Sequence, residues 1–236
     1  MRAMVLAGGR GTRLRPYTTV FPKPLMPLDD VPILDVVLRQ LVSAGFRDVT
    51  LSVGYLAELI RAYCGDGSRY GISLKYLQED QPLGTVGSVG LLDDFDAPIL
   101  LMNGDILTDL SFEKVWEYHH ANHGVITVAL NRRPLTINFG VIDQMEGNEI
   151  RRYVEKPTLD YLVGMGICVI EPAAKRFIAR GERMDLPDLI AALLAGGQKV
   201  VGWETDAYWL DIGRPDDYER AQADFERLRD RIGSKK

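Results

Sequence analysis

"AMVLAGGRGTRLRPYTTVFPKPLMPL", Ala3 to Leu28, is the stretch on which the fold turns. It opens with a short apolar run, Ala3 to Ala7, that breaks at Gly8. Three glycines and three arginines then fall between Gly8 and Arg15, and Lys23 stands between Pro22 and Pro24. A strand that runs into a flexible basic loop suits an open α/β sheet, where ligands bind outside the carboxyl ends of the strands.

The rest of the chain fits that entry. In "PILDVVLRQLVSAG", Leu34, Val37, Leu38 and Leu41 share a helical face, and "DVTLSV" reads as the next strand. In "YLAELIRAYC", Leu56, Leu59, Ile60 and Cys64 repeat the helical stripe. "ISLKYLQ", "PILLMNGD" and "VITVAL" read as further strands, with helices expected over Thr85–Phe95 and Ser111–Ala121. This alternation predicts a doubly wound α/β fold with a mostly parallel central sheet and helices on both faces. Beyond about Arg132, "FGVIDQMEGNEIRRYVEKP" reads as two strands around an acidic, glycine-containing turn, the mark of a smaller and more antiparallel lobe. "LVGMGICVIEP" returns to a buried strand. A last helix with Tyr218, Ala221, Phe225 and Leu228 on one face should dock on the body, and "GSKK" should fray. The expected division is a single domain, with a nucleotide-side part over about 1–131, a lobe and return strands over 132–215, and a C-terminal helix over 216–232.

Composition narrows the function. The 236 residues carry a net charge of -5, which argues against a nucleic-acid coat or a binder of anionic membranes. No stretch approaches a membrane span, and the first apolar run is too short for a signal-peptide core. Cys64 and Cys168 sit in apolar surroundings without metal-ligand spacing, as reduced core residues of a cytoplasmic protein would.

The loop after the first strand fits a polyphosphate, because glycines let backbone N–H groups approach and arginines add bidentate donors. It is neither of two common phosphate loops. The dinucleotide fingerprint fails because Leu14 stands where its third glycine belongs and the prolines forbid an immediate helix. The kinase-type loop fails because Thr12, not lysine, follows Gly11. A glycine-rich surface turn is the plain alternative, but a solvated lysine has no use for the stiff backbone that Pro22 and Pro24 give Lys23.

The series Leu6-Ala7-Gly8-Gly9-x-Gly11-Thr12-Arg13-Leu14, Pro16 and Pro22-Lys23-Pro24 resembles the opening signature of the sugar-1-phosphate nucleotidylyltransferases. The resemblance implies a Rossmann-like nucleotidyltransferase fold and attack of a sugar 1-phosphate oxygen on the α-phosphorus of a nucleoside triphosphate. Pyrophosphate leaves and a nucleotide sugar forms. It also implies that Leu6, Ala7, Gly8, Gly9, Gly11, Thr12 and Arg13 hold the nucleotide, that Arg13 neutralises the β- and γ-phosphates, and that Lys23 bridges the two anionic reactants. Asp105, ending "PILLMNGD", and Asp211, in "YWLDIGRPDDY", resemble the family's two metal-binding aspartates, with Mg2+ as the ion. The resemblance thus implies that Asp105 joins Arg13 and Lys23 as a catalytic residue.

"EDQPLGTVG", with Glu79, Pro82, Gly84, Thr85 and Gly87, resembles the family's nucleobase segment in the version closest to mannose-1-phosphate guanylyltransferases, with Gly84 and Gly87 letting the backbone approach the base. Asn103 and Gly104, Gly140 of "NFGVI", Glu155 and Lys156 of "VEKP", and Gly166 resemble its sugar-phosphate side. Met165 precedes Gly166 where many relatives carry a polar residue for the sugar, which leaves the sugar open. His119, His120 and His123 read as surface histidines or partners of a helix C-terminus, since no fourth ligand is near for a metal. GTP with a mannose 1-phosphate is the leading pair; UTP, dTTP or CTP with glucose 1-phosphate or a heptose or modified hexose 1-phosphate are the alternatives. A catalytically silent regulatory subunit of the same fold is weighed against them and disfavoured by the intact Arg13, Lys23, Asp105 and Asp211, and a nicotinamide-dependent oxidoreductase by the failed fingerprint. No hexapeptide repeat follows the last helix, so a minimal catalytic unit is expected, with monomer and homodimer both open.

Overall fold

The computed structural model describes residues 1–232; the "GSKK" tail, Gly233–Lys236, lies outside them. The strands are β1 (Arg2–Leu6), β2 (Pro27–Leu28), β3 (Val31–Pro32), β4 (Asp48–Val53), β5 (Ser73–Gln78), β6 (Ile99–Asn103) and β7 (Ile106–Thr108), then β8 (Ile126–Thr136), β9 (Val141–Gln144), β10 (Ile150–Val154), β11 (Thr158–Ile170), β12 (Val200–Thr205) and β13 (Trp209–Asp211). The helices are α1 (Ile33–Ser43), α2 (Ala57–Cys64), α3 (Gly84–Gly87), α4 (Phe112–Asn122), α5 (Leu186–Ala195) and α6 (Pro215–Leu228).

Seven strands form the central sheet in the order β12-β8-β11-β6-β1-β4-β5. The β1–β4, β1–β6, β4–β5 and β8–β12 pairs are parallel. β11 alone among the paired strands of this sheet runs antiparallel, to both β6 and β8. β1 shows why the opening run is continuously apolar. Ala3 and Val5 face one core layer with α1, α2 and α4, while Met4 faces the other with α5. Helices on both faces make the doubly wound arrangement that the sequence predicts. α6 docks through Ala221, Phe225 and Leu228 onto a third apolar cluster that includes Leu14, Leu107 and Leu210.

β8 and β11 run well past the sheet as a two-stranded arm, from Thr136 paired with Thr158 inward, and β9 and β10 form an antiparallel hairpin beside them. The expected division at 131/132 falls inside β8, so the nucleotide-side part and the lobe share a strand. No helix among the described residues is long and apolar enough to cross a membrane.

The helix expected over Thr85–Phe95 is reduced to the single turn of α3 and a 3-10 turn over Ser88–Leu91. Gly84, Gly87 and Gly90 give that segment little intrinsic helicity, and it is held by packing on residues 178–184 instead. α2 buries Ala57, Ile60 and Cys64, but Leu59 is exposed and Leu56 precedes the helix in a left-handed conformation. The histidine expectation also fails at one position. His119 is buried, with Nδ1 against Thr127 Oγ1 at 2.8 Å and Nε2 against Glu171 Oε1 at 3.0 Å, and burial lowers its pKa. His119 ties α4 to the sheet, while His120 stacks edge-on against Trp116.

Candidate active site

β1 and β6 are paired and parallel, so the loops that leave them emerge side by side at the carboxyl edge of the sheet. Two close approaches lock these loops there. Gly104 donates its N–H to Leu6 O at 2.9 Å, and a side chain at Gly104 would meet that same oxygen. Gly8 packs so tightly on Gly54, after β4, that a Cβ would lie 3.1 Å from Gly54 N. Gly11 takes a left-handed φ of 57° to start the 3-10 turn Thr12–Leu14, and the Thr18 hydroxyl donates to its carbonyl at 2.7 Å. Lys23 begins a further 3-10 turn, Lys23–Leu25, between its prolines and is 8% exposed.

A cavity of about 280 Å³ lies between these loops. Leu6, Ala7, Gly8, Gly9, Lys23, Glu79, Pro82, Gly84, Thr85, Asn103 and Asp105 all line it, as the sequence reading anticipates. Arg10 and Pro24 line it too, and that reading does not select them, although Arg10 lies within the glycine run. Glu79 fixes the far wall: it accepts the Ser52 hydroxyl and, at 3.1 Å, the Leu83 N–H.

Lys23 Nζ pairs with Asp105 Oδ2, and Asp105 Oδ1 is buried without a hydrogen-bond partner. β13 pairs with β7 so that Asp211 lies opposite Ile106, which brings the second aspartate beside the first. Arg13 closes the group, its Nη1 3.3 Å from where a Cβ on Gly213 would be. Asp211 is an exposed residue, yet its carboxyl titrates above the ordinary value. Partial burial is the main cause and the Asp105 charge the next, while Lys23 and Arg13 pull the other way.

Among the described residues no cluster of three or more histidine, cysteine or acidic side chains could hold a metal. Asp105 and Asp211 still fit Mg2+, which keeps several waters and takes substrate phosphate oxygens in place of further protein ligands. The orphaned Oδ1 of Asp105 is the atom such an ion would satisfy.

Gly11, Thr12, Arg13, Gly87, Gly104, Gly140, Glu155, Lys156, Gly166 and Asp211 do not line this cavity. Gly84 and Gly87 do allow a close approach, but the partner is protein: added Cβ atoms would lie 2.6 Å from Asp185 Oδ1 and Met184 O, and 2.6 Å from Glu182 O. Thr85 is fastened to the same segment, donating its N–H to Asp185 Oδ1 at 3.1 Å and accepting the Leu186 N–H at 2.6 Å. Gly166, with φ 71°, packs against Asn103 Nδ2. Met165 is fully buried in the core, so it cannot be the residue that meets a sugar. Gly140, Glu155 and Lys156 sit on the projecting lobe, where the Tyr153 hydroxyl lies against Gly140 and donates to Glu155 Oε2 at 2.7 Å.

A doubly wound sheet with a glycine-rich loop, two adjacent aspartates and a buried lysine at its carboxyl edge is the architecture of a nucleotidyl transferase. Residues 2–227 match the model of the nucleotidyl transferase family, and the chain belongs to that family. It is 33% identical over 234 residues to the mannose-1-phosphate guanylyltransferase of Mycobacterium tuberculosis, covering 95% of this chain and 64% of that protein. It is 30% identical over 241 residues to the UTP–glucose-1-phosphate uridylyltransferase of a Synechocystis strain, covering 94% of this chain and 62% of that one. The chain thus spans a little under two thirds of the length of these relatives. Its fold matches HddC from Yersinia pseudotuberculosis with a TM-score of 0.73 at 22% identity, over 95% of this chain and 99% of that one.

Proposed function

We propose that this protein transfers a nucleotidyl group from a nucleoside triphosphate to a sugar 1-phosphate, releasing pyrophosphate and forming a nucleotide sugar. The observation that carries this reading is the meeting of Arg13, Lys23, Asp105 and Asp211 at the mouth of the glycine-rich loop. Attack of one phosphate on another is opposed mainly by charge, so positioning and neutralisation are the tasks the residues must perform.

The loop from Gly8 to Thr12 offers backbone N–H groups to the triphosphate, with Arg10 and Arg13 against its outer phosphates. Lys23, held by its prolines, turns from Asp105 to bridge the α-phosphate and the sugar phosphate. Asp105 and Asp211 would hold Mg2+, and the ion would supply Lewis-acid charge against the phosphates of the triphosphate. Glu79, Pro82, Gly84 and Thr85 form the base-side wall; Gly87 acts from behind it, through packing. Asn103, Gly104 and Gly166 support the sugar from the sheet edge, and Gly140, Glu155 and Lys156 close on it from the lobe.

GTP and mannose 1-phosphate are the preferred pair, on the strength of the guanylyltransferase relative; the uridylyltransferase relative keeps UTP and glucose 1-phosphate as the second reading. A cytoplasmic setting belongs to this reading, with Cys64 and Cys168 both buried and free. The test is pyrophosphate release from a matrix of nucleoside triphosphates and sugar 1-phosphates, with and without Mg2+, beside Asp105→Asn. One pair should turn over with Mg2+ and fail in the variant. A protein that binds triphosphate but turns over no pair is a regulatory subunit instead.

A further inference from the structure

A second opening adjoins the active-site cavity. It is a groove of about 960 Å³ between α5 and the face of β8, β11 and β12, and Thr85 lines both spaces. Gly166, which borders the groove, packs on Asn103 of the cavity wall, so the two meet where the sugar ring is proposed to lie. The register of β11 against β8 shifts between Gly164 and Cys168, an irregularity that turns the strand at this junction.

The groove is apolar. Leu186, Ile190 and Leu194 of α5 form one wall, and Val128, Gly164 and Gly202 the floor. Its polar side chains are Thr85 and Asp185, both already engaged: Asp185 Oδ1 takes the Thr85 N–H and Oδ2 pairs with Arg183 at 3.1 Å. A hydroxylated ring placed there would give up hydrogen bonds to water without replacing them, whereas hydrocarbon would gain by leaving water.

Gly164 sharpens the point. Its φ is not in the left-handed region, and an added Cβ would touch only Val128 Cγ1, at an ordinary 3.8 Å. Nothing in the fold requires glycine at this position. Its effect is to leave space open on the floor beside the active site.

We propose that this groove receives an acyl or alkyl ether substituent carried by the sugar, so that the preferred substrate is a hydrocarbon-substituted hexose 1-phosphate rather than a plain hexose 1-phosphate. The inference rests on the transferase reading above. Gly164 and α5 then set the size of the group accepted, while the phosphate chemistry stays with Lys23, Asp105 and Asp211.

The test is steady-state pyrophosphate release from GTP, UTP and dTTP with hexose 1-phosphates of the gluco and manno series. Each is supplied unsubstituted and with 2-N-acyl or 6-O-acyl chains of two, four and six carbons. KM should fall about fourfold for each methylene that enters the groove, on the burial scale of a CH2 group. Leu194→Glu, a change on the exposed rim of the groove, should flatten this dependence and leave the KM of the unsubstituted sugar where it was. Gly164→Val should raise the KM of the longest chain first. Turnover of plain hexose 1-phosphates with no chain-length dependence in either series overturns the proposal and leaves the transferase reading intact. Turnover of no sugar 1-phosphate overturns both. A wild-type dimer that Leu194→Glu dissociates, without any chain-length dependence, assigns the groove to a second copy of the chain and overturns the proposal as well.

Discussion

Replacing Lys23 with methionine should move metal binding and catalysis in opposite directions. Lys23 is 8% exposed, and its ammonium sits on Asp105, the carboxylate expected to take the metal. Before an ion can use that carboxylate, the pair must part. A hydrogen bond to a charged group contributes about 1.5–3 kcal/mol net. The Asp105 side chain is 23% exposed, so screening places this pair at the low end, about 1.5 kcal/mol. Lys23→Met keeps the apolar stem packed between the prolines and removes the competitor. Mn2+ should therefore bind the substrate-free variant about tenfold more tightly than wild type. Turnover at saturating metal should fall about 100- to 1000-fold, the usual cost of losing a preorganised charge at a reacting centre. Electron paramagnetic resonance of free Mn2+ during titration gives the first quantity, and pyrophosphate release gives the second. Mn2+ affinity that is unchanged or weaker in a folded variant refutes the argument that Lys23 and the metal compete for Asp105.

Asp211→Asn should raise the melting temperature of the substrate-free protein at neutral pH while weakening Mn2+ binding. The folded protein holds the Asp211 proton more readily than the unfolded chain, so this group costs stability once pH rises through its folded pKa, and the amide removes that cost. His119→Ala should destabilise by about 2–4 kcal/mol in urea titrations without changing substrate KM, because it opens a cavity and strands buried Thr127. Burial lowers the folded pKa of His119, so the unfolded chain takes up the proton first. Wild-type stability should fall as pH drops below 6.5, and this fall should be shallower in His119→Ala. Gly84→Ala should cost about 1–3 kcal/mol, since φ is 77° and the new methyl would meet Asp185 and Met184, and nucleotide affinity should drop as Thr85 moves with them.

Much of this fold is legible in the sequence because its signals are local. The opening strand is apolar on both faces because both faces are covered, and α4 starts where Ser111 accepts the Lys114 N–H at 3.3 Å. The failures share a cause in long-range packing. Residues 85–95 carry a helical apolar pattern, but residues 178–184, nearly a hundred positions away, fix them in short turns. Met165 directly precedes Gly166, where the family resemblance expects a sugar contact, yet alternation along β11 sends it into the core. His119 looks like one of a surface group until Glu171, at the end of β11, is brought over it. At the site, motif residues near the ends of β1 and β6 converge because parallel pairing aligns those ends. The placement of Gly140, Glu155 and Lys156 depends on how far an arm projects, which no local spacing encodes.

The charges at the site also explain why the protein can fold around it before any ligand arrives. Two cationic and two anionic side chains, Arg13 and Lys23 with Asp105 and Asp211, lie within one another's field. Left unpaired, the two aspartates would repel each other at the carboxyl edge of the sheet. Lys23 suppresses that repulsion by lying on Asp105. A triphosphate competes for the ammonium and an ion competes for the carboxylate, so each ligand breaks the same pair for the other. Their binding must then be positively coupled, and by linkage the factor is the same in both directions. The pair adds its own worth, about tenfold, to the direct attraction of the ion for the phosphates, and Lys23→Met should lower the coupling by that factor. Mn2+ titrations with and without a non-hydrolysable triphosphate measure this directly. Equal coupling in wild type and variant would mean that the ion and the phosphates attract one another without help from Lys23, and that its contact with Asp105 serves folding alone.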